Sequence, residues 1–116
     1  MIPKINRFHG HNSLSTVYRK GQTVSLNQVS IKFLPIKPDK HFRVSVVIAR
    51  KVDKSAVIRN RIRRRVYEII RLKKSNLNQN VDMVVSVHSK DLAIMKAAEL
   101  DELLDQLLKK AGLIDS

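Results

Sequence analysis

Val44-Ser45-Val46-Val47-Ile48-Ala49-Arg50-Lys51-Val52-Asp53-Lys54-Ser55-Ala56-Val57-Ile58-Arg59-Asn60-Arg61-Ile62-Arg63-Arg64-Arg65-Val66-Tyr67-Glu68-Ile69-Ile70-Arg71 passes from a valine-rich segment into an arginine-rich one. Its first part is rich in β-branched residues and predicts a strand over Phe42 to Ala49, long enough for the middle of a sheet. Asp53, Lys54 and Ser55 then start a helix that runs to about Lys74. At roughly 100° per residue, Ile58, Ile62, Val66 and Ile69 share one face, while Asn60, Arg64 and Arg71 lie opposite, flanked by Arg61 and Arg63. The helix is amphipathic and cationic. The arginines between Arg59 and Arg65 repel one another on so short a helix, a cost that a polyanion relieves. Arginine, unlike lysine, suits bidentate phosphate contact and stacking on bases. A merely solvated basic face is the bland alternative.

Upstream, Asn12 is a good N-cap for a short helix over Ser13 to Lys20, with Leu14, Val17 and Tyr18 on one face and Gly21 as its stop. Gln22 to Leu34 reads as strand, in two segments around Asn27. The prolines and Asp39 in Pro35-Ile36-Lys37-Pro38-Asp39-Lys40 make that segment a connection, expected to close a hairpin onto the next strand. Downstream, Ser75 to Asn80 is a loop and Val81 to His88 another strand. Asp91 to Ala111 carries a leucine stripe, acidic residues early and Lys109 and Lys110 late, and reads as one last helix stopped by Gly112. The order is α-β-β-β-α-β-α, which places the chain in the α/β class as an α+β two-layer sandwich. A strand on each side of the basic helix requires a crossover, and hence a mixed sheet.

The 116 residues make one domain over 1–116, with 1–11 expected to be flexible and 112–116 a tail. Hydrophobic residues at 43% suffice for a core. The absence of cysteine excludes disulfides, thiolate metal sites and thiol nucleophiles. His9-Gly10-His11, without neighbouring carboxylates, is a poor metal site, so no metal is assigned to the protein. No apolar run is long enough for a bilayer and none resembles a signal peptide, so a cytoplasmic location without a membrane partner is expected. The net charge is +13. Residues 1–74 hold 19 basic and 3 acidic side chains, against 4 and 7 in residues 75–116. Such concentration is the footprint of a nucleic-acid partner.

Arg59-Asn60-Arg61-Ile62-Arg63-Arg64, with Arg71 downstream, resembles the arginine-rich signature of the bacterial ribonuclease P protein subunit. Val44 to Val52 is similar to the strand that leads into that signature, and Ser13 to Gly21 resembles the family's first helix with its terminal glycine. The similarity covers roughly residues 7 to 110 in the same element order. It implies a mixed sheet with a left-handed βαβ crossover, against the usual right-handed rule. It also implies a protein that assists a catalytic RNA in removing the 5′ leader of precursor tRNA by endonucleolytic cleavage. The chain itself shows no evident catalytic grouping, and Mg2+ bound by the RNA subunit would supply the chemistry without any cofactor on the protein.

By the resemblance, Arg59, Asn60, Arg61, Arg63, Arg64 and Arg71 bind the catalytic RNA, and Arg50, Lys51 and Lys54 widen that surface. A cleft between the first helix and the sheet would hold the single-stranded leader through Leu14, Tyr18 and Lys32. Leu14 stands where the family usually has Phe, and Lys32 occupies a strand position that is often aromatic, so Lys32 would meet phosphate instead. Tyr18 suits either cleft or core. The expected partners are ribonuclease P RNA and precursor tRNA, with no protein partner evident. Two rivals use the same charge. A basic ribosomal-type protein would bind RNA without processing it, and a DNA-binding module would pair helices where here strands flank the basic helix.

Overall fold

The structure is a computed structural model that describes residues 11–37 and 42–115, with side chains in the first helix from residue 16 onward. The expectations for residues 1–10, His9 included, fall outside the described residues, as do residues 38–41 and the side chain of Leu14. The helix α1 (His11–Lys20) is followed by β1 (Gln22–Leu26), β2 (Val29–Pro35) and β3 (Arg43–Ile48). Then come α2 (Ala56–Lys73), β4 (Val81–Val87) and α3 (Ala97–Lys110), with short 3-10 turns at Lys74–Asn76 and Lys90–Ala93. This is the α-β-β-β-α-β-α order, in a mixed α+β fold. Asn12 lies inside α1 rather than before it.

One four-stranded sheet has the order β1-β2-β4-β3. The hairpin expected between β2 and β3 does not form: β2 pairs antiparallel with β4, from Val29 opposite Val87 to Pro35 opposite Val81. β3 pairs parallel with β4 and so sits at the edge, not the middle. The reason lies in β4, where Val81 to Val85 are all buried and both faces of the strand are covered. A strand apolar on both faces belongs at the centre. The exposed side of β3 is blunted instead by α2: Val46 donates its N–H to the Tyr67 hydroxyl at 3.2 Å, and Arg63 Nε approaches Val46 O at 3.5 Å. β1 and β2 form a hairpin through Asn27, whose φ of 53° is in the left-handed region that asparagine tolerates.

The two faces of the sheet differ. On one face Ile31, Phe33, Val44, Val46, Met83 and Val85 pack against α2 and α3 as the main core. The leucine stripe of α3 joins it through Leu100, Leu103, Leu104, Leu107 and Leu108. α2 contributes Ile62, Val66 and Ile70, while Ile69, expected on the buried face, is only partly buried. Leu113 and Ile114, expected in a tail, are buried in this core, and Asn78 donates its N–H to Leu113 O at 2.9 Å. On the other face α1 packs through Val17 onto Val84, with Leu34 and Val47 beside them.

The last helix is shorter than its sequence pattern. Ser89 caps a separate 3-10 turn by accepting from Asp91 N–H, and Arg65 donates to Leu92 O and Met95 O. Those carbonyls serve the arginine, where a continuous helix would use them for its own ladder. Among the described residues no helix is long and apolar enough to cross a membrane.

Candidate nucleic-acid interface

The start of α2 is built by local hydrogen bonds. Ser55 caps it by accepting from Ile58 N–H at 3.3 Å, and Asp53 Oδ1 accepts from Ser55 N–H at 2.8 Å. Arg59 braces the same turn, donating from Nη1 to Asp53 O at 2.8 Å and Lys54 O at 3.0 Å. The arginines from Arg59 to Arg65 thus divide into two sets. Arg59, Arg63 and Arg65 reach backbone carbonyls of neighbouring elements and hold the scaffold together. Arg61 and Arg64 are exposed and make no hydrogen bond or ion pair among the described residues. Asn60, also exposed, accepts from Arg63 Nη1 at 2.6 Å through Oδ1.

Arg50, Lys51 and Lys54 are exposed in the turn that leads from β3 into α2. Arg71, predicted as part of this basic surface, is paired within the chain. It bonds Glu68 one turn back, and its guanidinium holds that carboxyl down at about 2. A carboxylate at that position offsets part of the field that Arg71 would add.

A second surface lies across the sheet. Gly21 ends α1 against β2: a Cβ there would fall 2.5 Å from Val17 O and 2.9 Å from Phe33 O, so only glycine admits this approach. The close approach puts Tyr18 beside β2, where Lys32 Nζ sits 5.7 Å from the centre of its ring. Tyr18 is 46% exposed, which makes its ring a surface group, while the neighbouring Val17 is completely buried. Lys32 faces Val84 and Thr23 across its two strand pairings. The backbone of Leu14 belongs to α1, a turn before Tyr18.

Two contacts escaped the sequence reading. Arg65 reaches 27 residues along the chain to Leu92, and nothing local marks it apart from Arg64. His88, the last residue of the strand expected over Val81 to His88, lies 2.9 Å from Ser30 Oγ through Nε2. Its even-numbered place in the β4 alternation, after Val84 and Ser86, was the available signal. Among the described residues no three His, Asp or Glu side chains are grouped as a metal site.

An exposed arginine pair on a braced helix and an aromatic–lysine pair where α1 meets β2 form two cationic surfaces. The family model described as Ribonuclease P matches residues 2–112. A curated ribonuclease P protein component of Staphylococcus carnosus is 28% identical over 115 residues, covering 98% of this chain and 96% of its own. One from a Pseudanabaena strain is 33% identical over 87 residues, covering 75% of each chain. The solved RNase P protein of Staphylococcus aureus is alike in fold, with a TM-score of 0.82 at 24% identity, covering 95% of this chain and 98% of that one. The chain belongs to the ribonuclease P protein family, and is the protein component that partners ribonuclease P RNA in a ribonucleoprotein endoribonuclease of tRNA processing.

Proposed function

We propose that the two surfaces divide the work of substrate capture. Arg61, Arg64 and Asn60, widened by Arg50, Lys51 and Lys54, dock on the catalytic RNA. Arg59 and Arg63 shape that surface by bracing it, and Arg71 adds to it less than its neighbours. Tyr18 and Lys32, with Leu14 on the same helix, grip the single-stranded 5′ leader of precursor tRNA. The RNA and the divalent ions it holds carry out hydrolysis, and the protein contributes affinity and position.

The observation that carries this reading is the sheet itself. α2 covers one face and α1 the other, so a single thin domain can touch the catalytic RNA and the leader at once. Phosphate contacts by Arg and Lys release counterions and supply most of the affinity. A base stacked on Tyr18 contributes on the order of 1–3 kcal/mol, with little dependence on sequence. The exposed ring and the lysine poised over it suit one base and its phosphate.

Reconstitution with a bacterial ribonuclease P RNA tests the reading. Precursor tRNA cleavage should rise most at low magnesium, where the protein's +13 charge substitutes for ions in screening phosphates. Carefully RNA-free protein should cleave nothing. Cleavage by the protein alone, or no stimulation at any magnesium concentration, would contradict it.

A further inference from the structure

The sheet face under α1 continues past Tyr18 and Lys32. Along β4 the side chains of Val84 and Ser86 alternate onto it, and His88 extends the series one step beyond the strand. The main chain there is still held in the sheet, since His88 N–H donates to Gln28 O at 2.8 Å. Ser30, two residues from Lys32 on β2, fixes the exposed imidazole by a hydrogen bond at 2.9 Å. On the other side Val87 pairs with Ile48, so β3 leaves the sheet beside His88 and runs straight into Arg50 and Lys51. Val84 pairs with Lys32, which puts His88 four residues, or about 13 Å, further along the strand toward the basic turn. Asp82, an acidic side chain on this face, is covered by Arg43.

A single strand is held by planar side chains set in succession along a cationic track. Tyr18 offers one such plane, and Lys32 marks one end of a track whose other end is Arg50 and Lys51. We propose that His88, oriented by Ser30, is a second stacking platform for the leader, contacting nucleotides nearer the cleavage site than those on Tyr18. The inference rests on the leader-binding reading of the cleft. The imidazole supplies the plane that Leu14 and Lys32 do not, and a histidine ring stacks on bases as other aromatics do. The direction follows from the fold: His88 lies toward the turn that opens α2, whose arginines meet the catalytic RNA.

The test uses holoenzyme reconstituted with a bacterial ribonuclease P RNA and two precursor tRNAs, one with a leader of a few nucleotides and one several nucleotides longer. His88→Ala should weaken binding of both by about fivefold or more, and His88→Phe should restore it. Tyr18→Ala should weaken the longer precursor more than the shorter. Mature tRNA binding and the melting temperature of each variant should stay near wild type. If Tyr18→Ala and Lys32→Ala show leader-dependent losses while His88→Ala shows none, the proposal is overturned and the cleft reading stands. If none of the three shows a leader-dependent loss, the cleft reading itself fails. A His88→Ala variant that melts lower and loses mature tRNA equally, without recovery in His88→Phe, would mean that the pair with Ser30 only clasps β2 to β4.

Discussion

Arg43 and Asp82 face each other across the parallel pair β3 and β4, and their side chains close a two-pronged ion pair, Nε to Oδ1 at 2.8 Å and Nη2 to Oδ2 at 2.7 Å. Asp82 is buried, and the hydrogen bonds its carboxylate accepts raise the Arg43 pKa above its usual value. A parallel pair has no tight turn to set its register, so a bidentate bond between directly opposed residues does that work. Removing Arg43 leaves a buried carboxylate without its main partner. Arg43→Ala should lower stability by about 2–3 kcal/mol, less than for a fully enclosed pair because the arginine is partly solvated. Urea denaturation checks this, and a loss under about 0.5 kcal/mol would show that the pair does not hold the register.

The division among the arginines of α2 predicts opposite behaviour from residues as close as the adjacent Arg64 and Arg65. Arg61→Ala with Arg64→Ala should leave the melting temperature nearly unchanged, weaken assembly with the catalytic RNA, and flatten its salt dependence by about 0.7 in log–log slope per lost contact. Arg65→Ala should instead cost about 1.5–3 kcal/mol, since the carbonyls of Leu92 and Met95 lose a charged donor. An unchanged salt slope in the first pair, or unchanged stability in Arg65→Ala, would reverse the assignment.

Gly21→Ala should displace α1 from β2, because both atoms that its Cβ meets closest are backbone carbonyl oxygens and cannot swing aside. A loss of about 1–3 kcal/mol is expected, together with weaker binding of leader-bearing precursor and unchanged assembly on the catalytic RNA. Melting curves and precursor titrations measure both effects. Wild-type precursor affinity in a destabilised Gly21→Ala protein would separate α1 from the leader.

Acid should weaken the α2–α3 contact in a defined direction. Lys109, and after it Lys73, hold the Asp105 carboxyl below its ordinary value, and Arg71 holds that of Glu68 at about 2. A carboxylate lowered in the folded state contributes stability above the unfolded value of about 4 and loses it as pH falls through the folded one. Thermal stability should therefore drop between about pH 4 and pH 2. Asp105→Asn should melt lower than wild type at pH 7, and the two should converge at the acid end. A difference that persists unchanged to pH 2 would show that the charge of Asp105 is not what stabilises.

Most of the element order was legible because each element carries its own period: the isoleucines of α2, the leucines of α3 and the alternation of β2 belong to local sequence. The pairing was not. Val44 to Ile48 looks like a central strand from its composition, and only the double-sided burial of Val81 to Val85, contributed 37 residues later, decides which strand takes the centre. The early stop of the last helix was hidden for a related reason, since the donor that takes the Leu92 and Met95 carbonyls is Arg65, far away in sequence. In the candidate site, the arginine density singles out α2 but not which of its arginines stay free and which bond within the chain. Arg71 kept its charge in the count while Glu68 sat one turn away to bind it. Tyr18 was undecided until Val17, its neighbour, took the core position.

The central claim is that leader and catalytic RNA use opposite faces of one sheet, and binding of precursor and mature tRNA to three reconstituted holoenzymes tests it most directly. The wild type should prefer the precursor. The Tyr18→Ala and Lys32→Ala double variant should lose that preference by about fivefold or more while binding mature tRNA and the catalytic RNA as before. The Arg61→Ala and Arg64→Ala double variant should assemble poorly but, once saturated onto the RNA, keep the preference. If both variants lose the preference equally, or if neither does, the two faces are not separate binding surfaces.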